Sequence, residues 1–91
     1  MPVNVLIPTP LRPKVGGHES LSIEANSVRE VLGKLTTQYP DMERMLFQSP
    51  GVINKFIGLY VNDEDVKFLE NLDTTLKSRD ELTILAAISG G

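Results

Sequence analysis

The residues best placed to do chemistry are the last ones. Leu85-Ala86-Ala87-Ile88-Ser89-Gly90-Gly91 tapers from a strand-like run through small side chains to two glycines. Glycine lacks a Cβ and gives up more conformational freedom on ordering than any other residue, so a Gly-Gly end adds nothing to a fold. Its advantage lies in passing through a partner's narrow channel. Fully extended, the six residues after Leu85 reach about 20 Å at roughly 3.3 Å each, enough to carry a terminal carboxyl group into a buried active site. The competing reading is an ordinary frayed end, which most domains have.

Other reactive side chains are sparse. His18 is the only histidine and follows Gly16-Gly17 in an expected loop, where it lacks the partners that a metal or nucleophilic site needs. Asp63-Glu64-Asp65 lacks the loop length, glycine and distant glutamate of a calcium hand, so it reads as a solvated turn. Cysteine is absent, which excludes disulfides, thiolate metal sites and a cysteine nucleophile. Any sulfur chemistry therefore cannot run through a persulfide on this chain.

Composition sets the frame for these residues. Ninety-one residues make one small domain, and 41% hydrophobic with 23% charged residues is ordinary globular usage. No apolar run approaches the roughly 20 residues of a membrane span, and no basic stretch precedes an apolar signal segment. A soluble, cytosolic protein is expected. The net charge of −3 comes without a basic stripe, which argues against nucleic acid as a partner.

The elements that must position the terminus can be read in order. Val3 to Ile7 is β-branched and apolar and is closed by Pro8 and Pro10, so it predicts a first strand. Thr9 to His18, with Pro10, Pro13 and Gly16-Gly17, predicts a long hairpin loop without periodicity. Ser20 to Ala25 alternates, predicting a second strand with Leu21, Ile23 and Ala25 inward. Ser27 and Glu30 fit a capping box, in which the glutamate reaches back to the cap. Val28, Val31, Leu32, Leu35 and Tyr39 then line one helical face until Pro40 stops the run. Gly33 within this helix suits close approach to the sheet. Asp41 to Phe47 is expected to add a short turn of helix, with Met42, Met45, Leu46 and Phe47 as a lid over the core.

After a turn at Ser49-Pro50-Gly51, Phe56 to Val61 predicts a third strand. Ile57, Leu59 and Val61 are assigned to the core, and Phe56 and Tyr60 to the outer face, where Gly58 leaves the sheet flat and open. Asn62 to Asp65 turns the chain, Val66 to Phe68 is expected to return as a short strand, and Asn71 to Asp80 carries Leu72 and Leu76 with one helical turn. Leu82 to Leu85 is the last strand, with Leu82 and Ile84 inward and Thr83 and Leu85 outward. The fold class is α+β: a mixed sheet of four to five strands with one main helix on one face, the β-grasp order of ubiquitin-like domains. The domain is expected over residues 1–86 and a C-terminal Gly-Gly tail over 87–91. In that order the first and last strands lie side by side, and the helix-free face exposes Phe56, Tyr60, Thr83 and Leu85 as a partner-docking patch.

In this order of elements, Val61-Asn62-Asp63-Glu64-Asp65-Val66 and the run from Leu82 to Gly91 resemble the small ubiquitin-fold sulfur carriers. That family is related to the small subunit of molybdopterin synthase and to the thiamine-pathway carrier. The opening Ile7-Pro8-Thr9 with Leu11-Arg12-Pro13 is most similar to the members that serve cysteine synthesis. Ala86 stands where such carriers commonly have proline, and Ser89 where alanine or threonine is usual.

The resemblance implies that the chain has no catalytic residue and no metal of its own. Gly91 would carry the reacting carbon, Gly90 would let the thread pass a constriction, and Ala87, Ile88 and Ser89 would be read by the channel walls. An adenylyltransferase of the ubiquitin-activating (E1-like) type would use ATP and Mg²⁺ to form an acyl-adenylate, and sulfide would convert it to a thiocarboxylate. The acceptor would be a cysteine synthase-like enzyme whose own cofactor is pyridoxal phosphate (PLP), or the large subunit of molybdopterin synthase, a thiazole-forming enzyme or a tRNA-thiolating one. Two rivals stand beside this reading: a ubiquitin-like modifier joined to lysine, and a non-covalent interaction module.

Overall fold

The computed structural model describes residues 2–86. Along the chain these form strand β1 (Val3–Leu6), strand β2 (Ser20–Ile23), helix α1 (Val28–Gln38), helix α2 (Asp41–Leu46), and the short strands β3 (Phe47–Ser49) and β4 (Val52–Ile53). Strands β5 (Ile57–Val61), β6 (Glu64–Asp65) and β7 (Glu81–Ala86) follow. Five strands make one sheet in the order β2-β1-β7-β5-β6, while β3 and β4 pair as a separate hairpin. β1 and β7 run parallel and every other neighbour pair is antiparallel. The last strand is therefore the middle one of the main sheet, bonded on both sides.

One face of this sheet and one face of α1 share the core. Val3, Val5, Leu59, Val61, Leu82 and Ile84 from the strands cluster with Val28, Val31, Leu32 and Leu35 from the helix. Each such side chain, fully removed from water, contributes about 1.5–3 kcal/mol. The helix begins where the sequence predicts: Ser27 Oγ accepts the Glu30 N–H at 3.2 Å. The Glu30 carboxylate reaches one residue past the cap, accepting the Asn26 N–H at 3.0 Å. Helix α2 closes the end of the core with Met42 and Leu46, both fully buried, and with Met45 and Phe47 packed against it.

Three local expectations need correction. The stretch after β1 is not a shapeless loop: Thr9–Val15 is a 3-10 helix that drives Leu11 and Val15 into the core. Its two prolines fix φ near the helical value, and Leu11 and Val15 are both fully buried. Val66–Phe68 is a 3-10 turn rather than a strand, because Asp65 Oδ1 accepts the Lys67 N–H at 2.9 Å and caps it. The returning strand is the two residues before it, Glu64 and Asp65. Gly33 is exposed, and a Cβ there would meet nothing within 4 Å, so it mediates no close approach to the sheet. The turn at Ser49-Pro50-Gly51 joins the small β3–β4 hairpin, with Gly51 at φ +76°.

Candidate functional site

The central strand alternates by period two, so Leu82 and Ile84 point into the core while Thr83 and Leu85 point away from it. Register then decides what stands beside them. Thr83 is flanked by Leu6 on β1 and by Tyr60 on β5, and Leu85 lies opposite Gly58. The helix-free face thus carries the row Leu6, Thr83, Tyr60, with Leu85 one step toward the end of the strand. Leu85 is 47% exposed.

Phe56, just before β5, is 49% exposed. Its backbone is fixed by Asn54, whose Oδ1 accepts the Phe56 N–H at 3.1 Å while its main-chain carbonyl accepts the Ile57 N–H at 2.9 Å. The Lys55 ammonium stands 5.5 Å from the centre of the Phe56 ring. Gly58 does not leave this part of the sheet open: a Cβ built there would lie 3.3 Å from Tyr60 Cε1 and 3.7 Å from Leu85 Cβ. The Tyr60 ring occupies the space over the glycine, so Gly58 is a seat for that ring.

Leu6 stands in the same row, opposite Thr83. Alternation along the strand accounts for this, since inward Val3, Val5 and Ile7 leave Leu6 on the opposite face. The other candidates behave as solvated residues. His18 is exposed, and among the described residues no group of three metal-type side chains comes together. Asn62 and Asp63, at φ 49° and 73°, form the two-residue turn between β5 and β6. Gly91, Gly90, Ser89, Ile88 and Ala87 lie outside the described residues.

A mixed five-stranded sheet whose first and last strands are parallel neighbours, with one main helix on one face, is the β-grasp architecture of ubiquitin-like domains. The chain belongs to the ThiS family, whose model matches residues 5–91. It is 41% identical over 93 aligned positions to the sulfur carrier protein CysO of Mycobacterium tuberculosis, covering 100% of both chains. The CysO of a crystallised BexX/CysO complex from Amycolatopsis orientalis superposes with a TM-score of 0.87 at 36% identity, over 98% of this chain and 99% of that one. The solution structure of small archaeal modifier protein 1 from Methanosarcina acetivorans gives a TM-score of 0.83 at 28% identity, over 100% and 99% of the two chains.

Proposed function

We propose that this protein is a sulfur carrier for cysteine synthesis that works through a thiocarboxylate on Gly91. The observation that carries the reading is its full-length 41% identity to a protein named sulfur carrier protein CysO. Residues 1–86 act as the handle and 87–91 as the thread that enters partner active sites. A carboxylate resists attack because its charge is spread over both oxygens, so it must first be activated. An E1-like adenylyltransferase, using ATP and Mg²⁺, joins the Gly91 carboxylate to AMP and releases pyrophosphate. Hydrosulfide then attacks the acyl carbon, AMP leaves with the bonding pair, and a proton is lost to give the anionic thiocarboxylate. The acceptor is a cysteine synthase-like enzyme that supplies its own pyridoxal phosphate. All of this is cytoplasmic.

Leu6, Phe56, Tyr60, Thr83 and Leu85 form the docking face. Holding the body by this face keeps the thread's end close to the partner's catalytic groups, which offsets several kcal/mol of a barrier. That a relative from Amycolatopsis orientalis forms a complex with BexX supports a protein partner for this chain.

Incubation with the candidate activating enzyme, ATP and sulfide tests the reading by intact mass. The expected product is the full chain with one terminal oxygen exchanged for sulfur. Deleting Gly90 and Gly91 should abolish it while the amide spectrum of the folded body is unchanged; retained sulfur loading in that variant would defeat the proposal. Likeness to a small archaeal modifier protein favours one second reading, transfer of the activated glycine to a lysine amine. Isopeptide adducts in lysate would identify it.

A further inference from the structure

A groove of about 330 Å³ opens beside β5, on the side of the sheet where β6 stops. β6 pairs only with Tyr60 and Val61, so Ile57, Gly58 and Leu59 have a strand neighbour on the β7 side alone. The walls over this unpaired stretch are apolar, from Ile53, Phe56, Leu72 and Leu85. Lys55 and Lys67 belong to the lining as well, and both are exposed. Among the described residues neither lysine is in an ion pair. Asp65 also lines the groove, but one of its oxygens is occupied by the Lys67 N–H.

We propose that this groove takes an extended segment of a partner protein in which a large apolar side chain is flanked by aspartates or glutamates. The segment continues the line of β6 along β5, as added strands do at sheet edges; the Ile57 N–H is already taken by the Asn54 carbonyl, so main-chain pairing centres on Leu59. Its apolar side chain fills the space between Ile53, Phe56 and Leu72, whose volume is at the small end of ligand pockets and suits one or two such side chains. Its carboxylates meet Lys55 and Lys67. On a chain of net charge −3, an acidic segment is repelled elsewhere, so two unpaired lysines beside one groove select both the charge and the place of the partner. An anionic lipid surface fits worse, because the site is a concave groove and not a flat or convex face. The proposal goes beyond the sulfur carrier reading and does not depend on the fate of the terminal glycine.

The test uses the full-length ¹⁵N-labelled protein, never activated, titrated with a blocked Asp-Glu-Leu-Phe-Glu-Asp peptide. Saturable amide shifts confined to 55–59, Lys67 and Leu85 are expected. The charge-swapped peptide Lys-Arg-Leu-Phe-Arg-Lys should bind the native protein about tenfold more weakly, and the K55E/K67E variant should reverse that preference. F56A should weaken both interactions. Both lysines are exposed, so the double variant keeps the fold, which its amide dispersion checks. Equal shifts with the two peptides, no shifts, or shifts centred on Leu6 and Thr83 would overturn the proposal. Shifts at the same amides that grow with protein concentration alone would overturn it too, assigning the groove to a second copy. The groove shares Phe56, Tyr60 and Leu85 with the docking face, but the titration uses no activating enzyme and no chemistry at Gly91, so its outcome and that of the sulfur-loading test are read independently.

Discussion

Asn62 and Asp80 clasp the β5–β6 turn to the head of the central strand. The Asn62 amide donates to Asp80 Oδ1 at 2.9 Å, and its carbonyl oxygen accepts the Glu81 N–H at 3.0 Å. The other Asp80 oxygen accepts the Lys77 N–H at 2.8 Å, and the Asp80 main-chain carbonyl accepts the Asn4 N–H at 3.0 Å. One aspartate thus joins β1, β5 and β7 at the same end of the sheet.

The clasp is pH-sensitive. The Lys77 backbone N–H, and after it the Asn62 amide, hold the Asp80 carboxyl below its ordinary value. A lowered folded-state value means that the unfolded chain takes up the proton first as pH falls. The stabilisation is therefore complete above the ordinary carboxylate range, about pH 4, and is lost as pH falls through the lowered folded-state value. Urea midpoints measured between neutral and acid pH should fall more steeply for the native protein than for D80N, and parallel slopes would remove Asp80 from the account.

Removing the helix cap isolates a local term. S27A leaves the Glu30 N–H without its acceptor and should cost about 1 kcal/mol in urea unfolding, with an unchanged denaturant slope.

Gly58 separates packing from stability. G58A pushes on the Tyr60 ring from 3.3 Å, and the ring is the free end of a rotatable side chain. The gain in backbone stiffness offsets the displacement, so stability should change by less than about 1 kcal/mol. The Tyr60 ring resonances should move. A large loss of stability would mean that the ring cannot yield.

Charge on the proposed docking patch should act on recognition alone. L85E places a carboxylate at a site already 47% exposed, so the fold persists. The KM for activation should rise about tenfold or more with little change in kcat. F68S, at a residue 81% exposed on a separate turn, serves as the control and should leave both unchanged.

Much of this arrangement was legible because two periodicities carry it. Val28, Val31, Leu32 and Leu35 marked the helical face, Leu82 and Ile84 the inner face of the last strand, and Ser27 with Glu30 the point where one period gives way to the other. The misses share a physical cause: elements of two to seven residues are decided by single side-chain bonds or by packing. The cap of Asp65 on Lys67 turns an apolar, strand-like Val66–Phe68 into a 3-10 turn. Burial of Leu11 and Val15 organises a segment whose prolines read as loop. Gly33 is exposed with open space around it, and the space over Gly58 is taken by the ring of Tyr60, two residues on along the same face of the strand, a rotamer that alternation alone does not specify. Leu6 joins the outer row only through its register with Thr83 on a strand distant in sequence.

The parallel pairing of β1 with β7 also has a mechanical consequence. With the two strands side by side and pointing the same way, tension drawing Val3 and Ala86 apart slides one strand along the other. Their hydrogen bonds then bear the load together rather than opening one at a time. A body built this way can be tugged by its far end without unravelling, and a single-molecule pulling trace should show one high rupture force in place of a staircase.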